Sequence, residues 1–240
     1  MAILQAVNLT KSFGQAAMHV NAVRSIDLTI EAGEMVAIVG PSGSGKSTLM
    51  SLLGAILAPT SGQVFLEGTD FATLNDRQRT LLRRKRIGFV FQAFNLIPTL
   101  TAIENVSLPL ELDGVSAAVA QQRARTALEA VGLARRQLHF PSTMSGGEQQ
   151  RVAIARTLVI KPALVMADEP TGNLDSESSA QIVKLLRDLV DEKRQTVILV
   201  THDDDVAKQA DRIIQVRDGK IERDDVLAFR PIDVIRRYVG

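Results

Sequence analysis

Cysteine is missing from all 240 residues of this chain. Disulfides, thiolate metal sites and cysteine nucleophiles are excluded together. No apolar run approaches the roughly 18 residues that a membrane-spanning helix needs, and the N-terminus lacks the uninterrupted hydrophobic core of a signal peptide. The expectation is a soluble, cytoplasmic chain whose membrane role comes only through partners. A surplus of charge is absent too: 28 basic side chains stand against 27 acidic ones, for a net charge of +1. Such a balance supplies no global field for nucleic acid, and no nucleic-acid partner is expected. Internal repeats and low-complexity segments are likewise lacking. What is there suits a globular protein: 45% of the residues are hydrophobic, enough at this length for a large core in one domain, or in one domain with an inserted lobe.

The most informative stretch is Gly40-Pro41-Ser42-Gly43-Ser44-Gly45-Lys46-Ser47-Thr48. It follows the apolar run Met35 to Val39 and leads into Leu49-Met50-Ser51-Leu52-Leu53, which suits a helix. Strand, glycine-rich turn and helix are the context a phosphate-binding P-loop requires. The glycines let successive N–H groups converge on phosphate oxygens. The helix start adds unpaired N–H groups and a positive dipole end. In such a loop Lys46 reaches the β- and γ-phosphates and the Ser47 hydroxyl coordinates Mg²⁺. A helix-capping turn alone would not call for the Lys-Ser pair at this spacing.

Elsewhere the pattern alternates between strand and helix. Leu4 to Phe13 and Ser25 to Ile30 read as half-buried strands with a loop over 14–21. Phe13 stands out in a chain with 4% aromatics, and its role is core packing or stacking on a nucleotide base. Val64 to Gly68 reads as a short strand and turn. Arg77 to Arg86 holds six basic residues in ten without interleaved aromatics, as a solvated helix face would. Ile87 to Phe91 is strand-like and stops at Gln92. Pro98 and Pro109 reduce 93–114 to loop and short helix, and Ala120 to Val131 form a helix ended by Gly132. Residues 89–160 thus read as a helical lobe inserted between two parts of a core, 1–88 and 161–240.

Within the lobe, Ser145 and Glu148 have capping-box spacing for a helix running to about Ile160. A helix start bearing Ser145, Gly146 and Gly147 is also a second place for a phosphate to dock, although the chain has one P-loop. Strand pattern returns over 163–167 and ends in Asp168-Glu169. Adjacent carboxylates at the end of a buried strand are expensive unless paired, and a bound cation accounts for one of them. A helix over 176–192, a strand over 196–200 ending at His202 and a strand over 212–216 complete the core. The tail, 224–240, mixes apolar and basic residues around Pro231, as a partner-docking segment or a loosely attached helix.

The order of these motifs resembles the ATP-binding cassette of ABC transporters over nearly the whole chain. Gly40 to Thr48 matches Walker A, Ala163 to Glu169 Walker B, and Gln92 the Q-loop. Ser145-Gly146-Gly147-Glu148-Gln149 matches the signature, Asn173-Leu174-Asp175 the D-loop and His202 the switch histidine. Residues 91–101 and 168–175 look closest to the bacterial subgroup of lipoprotein-releasing (LolD-like) and macrolide-exporting (MacB-like) systems. Met144 replaces a leucine of the pattern, Glu148 a common glutamine, and Phe13 the usual tyrosine of the aromatic A-loop.

The resemblance implies an α/β fold: a P-loop NTPase with a RecA-like core, an N-terminal antiparallel β region and the inserted lobe. It implies ATP and Mg²⁺ as cofactors, a second copy as a head-to-tail partner, and integral membrane permease subunits that place the chain on the inner face of the cell membrane. Nucleotide contacts are then expected from Phe13, Gly40 to Thr48, Ser145 to Glu148 and Asp175. Ser47, Gln92 and Asp168 attend the metal, and Glu169 is the general base; His202 bridges the γ-phosphate and the neighbouring D-loop, Gln92 senses Mg²⁺ and the water, and Lys46 completes the catalytic set. A chromosome-maintenance ATPase would need a long coiled coil between Walker A and Walker B, and a translation-associated factor two cassettes in one chain. The subgroup favours export or extraction from the membrane.

Overall fold

The structure, a computed structural model, describes residues 1–14 and 20–227. Two sheets build it. The first is antiparallel, in the order β2-β1-β4-β5, from β1 (Ala2–Phe13), β2 (Val20–Glu31), β4 (Ser61–Leu66) and β5 (Thr69–Asp70). The second holds β3 (Met35–Val39), β6 (Ile87–Phe91), β7 (Leu164–Asp168), β8 (Thr196–Val200), β9 (Arg212–Arg217) and β10 (Lys220–Val226), in the order β10-β9-β3-β8-β7-β6. All of its pairings are parallel except that of β10 with β9. Every residue of β8 and four of five in β3 are buried, as expected of parallel strands covered on both faces.

Side-chain alternation splits the core in two. Val36, Ile38, Ile198 and Val200 face the antiparallel sheet and helix α1 (Lys46–Leu53). Ala37, Val165, Ala167, Val197 and Leu199 face the opposite way, toward α3 (Ala102–Leu112), α4 (Ala117–Ala130), α5 (Gly146–Leu158) and α6 (Ser176–Lys193). The remaining helices, α2 (Asp76–Arg86) and the short α7 (Asp204–Ala207), lie before β6 and after β8. Among the described residues no helix is long and apolar enough to cross a membrane.

Several elements differ from the sequence-based expectation, each for a local reason. β2 begins at Val20, ahead of Ser25, because register shifts against β1 and left-handed backbone at Asn8 and Ser25 interrupt the alternation. The segment expected as loop and short helix contains all of α3, which starts with a capping box between Thr101 and Glu104 and accommodates Pro109. The fully buried Asn105 carboxamide accepts from the Ile97 N–H and donates to the carbonyls of Ile97, Leu100 and Thr101.

Strand β6 runs to Phe91, so the sheet keeps three residues that the sequence reading assigned to the lobe. β10 forms a hairpin on β9, where Asp224 binds Arg212 through two hydrogen bonds. The expectation for the tail beyond 227 falls outside the described residues. Nor is α2 simply a solvated face. Arg83 donates to the Ala55 carbonyl at 2.7 Å, Arg84 reaches the Leu112 carbonyl and Asp113 at the end of α3, and Arg86 binds Glu67.

Candidate nucleotide site

The loop from β3 to α1 is wedged between the two sheets. A Cβ on Gly40 (φ 149°) would lie 2.1 Å from the Val216 carbonyl oxygen of β9. One on Gly45 (φ 103°) would lie 2.2 Å from that of Ala22 in β2. Only glycine fits either place. Gly45 caps α1 without a side chain, which leaves the first-turn N–H groups available to an anion. Lys46 Nζ donates to the carbonyls of Gly40 at 2.8 Å and Pro41 at 2.9 Å, so its ammonium lies across the loop. The Ser44 hydroxyl is buried without a hydrogen-bond partner, an orphan polar atom inside the same loop. Residues 42–48 line a cleft of about 300 Å³ together with Ala22, Asp168, Glu169 and Val200.

Strand register sets the opposite wall. Phe91, Asp168 and Val200 pair across β6, β7 and β8, so Gln92, Glu169 and Thr201-His202 leave the sheet at one level. Burial pushes the Asp168 carboxyl up from its usual range; the charge of Glu169 adds to this and that of Lys46 opposes it. Glu169 has left-handed backbone (φ 47°), stored strain of the kind found at functional sites, and its N–H donates to the Val200 carbonyl at 2.9 Å. The Glu169 carboxylate accepts from His202 Nδ1 at 2.8 Å, and this bond raises the histidine above its ordinary value.

Ser47, Asp168 and Glu169 offer only hard oxygen donors. Among the described residues no cluster of three or more carboxylates and histidines could hold a metal by itself. That combination fits Mg²⁺, which takes one or two protein oxygens and completes its shell from phosphates and water.

Gln92 does not line this cleft. Its amide donates to Asn173 Oδ1 at 3.1 Å, and Asn173 Nδ2 returns a bond to the Gln92 carbonyl at 3.1 Å. Phe13 is not core either: it is 42% exposed, with the Lys11 ammonium 5.2 Å from its ring centre. The cation covers one face of the ring, and the exposed remainder is what a base could stack on.

The second helix start lies apart. Ser145 caps α5 by accepting from the Glu148 N–H at 3.2 Å, while Glu148 accepts from the Ser145 N–H at 2.9 Å. A Cβ on Gly147 would lie 2.9 Å from Ser178 Oγ, so this turn abuts the start of α6. There Asp175 accepts from the Ser178 N–H and hydroxyl at 2.8 and 2.9 Å, bonds that hold its carboxyl below the usual range. None of Ser145, Gly146, Gly147, Glu148 or Asp175 lines the Lys46 cleft.

The sequence reading missed Gln150. Fully buried on α5, it donates to the Phe91 carbonyl at 3.3 Å and the Pro170 carbonyl at 2.5 Å, joining the residues next to Gln92 and Glu169. Its signal was a polar side chain on the buried stripe of Gly147 and Ile154.

The family described as ABC transporter matches residues 23–172. The chain is 46% identical to the lipoprotein-releasing system ATP-binding protein LolD of Psychrobacter arcticus, over 92% of this chain and 98% of that protein. It is 45% identical to MJ0796, an uncharacterized ABC transporter ATP-binding protein of Methanocaldococcus jannaschii, over 92% and 95%. The dimeric structure of the MJ0796 cassette bound to ADP and Pi superposes with a TM-score of 0.85 at 42% identity, covering 95% of this chain and all of that one. On the strength of the shared motifs, fold and sequence, the chain belongs to the ABC transporter family, as an ATP-binding cassette.

Proposed function

We propose that this cassette hydrolyses ATP with Mg²⁺ in clefts completed by a second copy arranged head to tail. The cycle would drive export or membrane extraction of a substrate through separate permease subunits, which hold the chain at the inner face of the cell membrane. The supporting observation is the separation of two anion-ready helix starts. Residues 42–48 share a cleft with Asp168 and Glu169, whereas Ser145, Gly146 and Gly147 lie outside it. Dimeric MJ0796, solved with ADP and Pi, agrees with this reading.

In it, residues 40–48 cradle the triphosphate, Lys46 moves from loop carbonyls to the β- and γ-phosphates, and Phe13 stacks on the base. Ser47 and Asp168 hold Mg²⁺, which supplies positive charge against the phosphate oxygens. Glu169 takes the proton of the attacking water. His202 positions that carboxylate, and Gln92 senses the site from the border of the lobe. Ser145 to Glu148 and Asp175 serve the nucleotide of the second copy. We assign the described residues of 1–91 and 161–227 to the core and the intervening helices to the lobe.

Mixing two inactive variants tests the arrangement. Lys46→Ala and Ser145→Arg should each abolish hydrolysis alone, while their mixture should regain activity, because a mixed dimer contains one intact Lys46 cleft facing one intact Ser145. A mixture as inactive as its components overturns the shared site.

A further inference from the structure

Glu148 brings a carboxylate to the turn that the proposed function gives to phosphate. Helix starts attract anions through their free N–H groups and dipole. A carboxylate three residues inside opposes a second anion there. Glu148 is ionised, because the Ser145 N–H first, and then the charges of Arg136 and Arg151, hold its carboxyl below the usual range. Its two oxygens have different partners. Oε2 accepts from the Ser145 N–H at 2.9 Å as part of the cap. Oε1 lies 3.0 Å from Arg136 Nε, in a pair whose side chains are 16% and 47% exposed.

Arg136 comes from a separate turn of the lobe, 134–136, and its other arm lies 3.1 Å from His139 Nε2. The cap needs only the carboxylate and Ser145. The arginine meets the carboxylate oxygen that the cap leaves over and cancels its charge, and the pair has the neutral balance that a glutamine would have.

We propose that Arg136 is a positioning residue which, by pairing with Glu148, makes an acidic signature turn compatible with the triphosphate carried by a second copy of the chain. This rests on the reading that Ser145 to Gly147 faces that nucleotide. Without Arg136, Glu148 stays ionised through its bond to Ser145 and repels the incoming phosphates. The penalty falls on nucleotide-driven pairing, since Glu169 and the attacking water belong to the other cleft.

The test is steady-state ATP hydrolysis by the full chain, as wild type, Arg136→Gln, Arg136→Lys, Glu148→Gln and the Arg136→Gln/Glu148→Gln double variant. Arg136→Gln should raise KM for ATP about tenfold, with kcat within about threefold, as loss of ground-state charge compensation requires. Added salt should shrink the difference. Arg136→Lys should restore most of the affinity. In the Glu148→Gln background, whatever activity that background has, adding Arg136→Gln should move KM by less than about twofold, because no charge remains to cancel.

A KM shift as large there as in the wild-type background overturns the proposal, since Arg136 would then act through the fold alone. Arg136→Met replaces Arg136→Gln should the latter aggregate. Ser145→Arg separates the two possible failures. Hydrolysis that survives Ser145→Arg removes the shared site itself. Hydrolysis lost in Ser145→Arg, with an undiminished Arg136 effect in Glu148→Gln, removes only the charge-cancelling role.

Discussion

His202 Nδ1 stands 2.8 Å from Glu169 Oε1, so the residues leaving β8 and β7 form one hydrogen-bonded pair beside the Lys46 cleft. Glu169 raises the histidine above its ordinary 6.5, first through this bond and then through its charge. The stabilisation is therefore complete below about pH 6.5, the value of an unperturbed histidine, and is lost as pH rises through the raised value. An NMR titration of His202 should show a midpoint above that of a free imidazole. In Glu169→Gln the midpoint should fall back toward it; an unchanged midpoint would mean the pair is not formed in solution.

Glu169→Gln should keep ATP affinity and slow turnover by about 10² or more, the usual scale for loss of a positioned general base. Lys46→Ala should weaken nucleotide binding itself, as read by direct titration. Normal turnover in Glu169→Gln would remove that residue from the role.

Gly88→Ala concerns stability alone. A Cβ at Gly88 in β6 would meet Thr157 Cγ2 on α5 at 2.2 Å, and Thr157 is anchored by hydrogen bonds to the Phe89 and Ala153 carbonyls at 2.8 and 3.0 Å. Overpacking of this kind lowers stability by about 1–3 kcal/mol, measurable as a lower midpoint in urea. An unchanged midpoint would show that α5 yields freely at this contact.

Gln150→Ala should leave the Phe91 and Pro170 carbonyls without their side-chain donor. The Phe91 carbonyl keeps the Phe94 N–H at 3.3 Å, so the orphaned group is the Pro170 carbonyl, at a cost of about 1–3 kcal/mol that removal of the unpartnered Gln150 oxygen offsets in part. We expect a net loss at the lower end of that range by denaturant titration. Turnover should fall as well, because the lost bonds adjoin Gln92 and Glu169.

Much of the fold was legible because β3, β7 and β8 are continuous apolar runs that punctuation residues end abruptly. The P-loop was legible because its chemistry needs contiguous residues. What escaped notice was non-local. The start of β2 hid behind a bulge at Ser25, α3 behind Pro109 despite its Thr101–Glu104 box, and β10 behind the charges of an edge strand. Gln150 and the Arg136–Glu148 pair join residues far apart in the chain or on different elements, which no periodicity reports. The bond from the Gln92 amide to Asn173 likewise joins residues 81 positions apart.

The common level of Phe91, Asp168 and Val200 has one further consequence. Central parallel strands open only when the whole molecule unfolds, whereas loops and helix ends fray far more readily. The roots of Glu169 and His202, on the central strands β7 and β8, thus share a rigid ledge, with the root of Gln92 beside it on the edge strand β6. Motion in this cassette can redirect the Glu169 and His202 side chains, but it cannot spread the ground on which they stand.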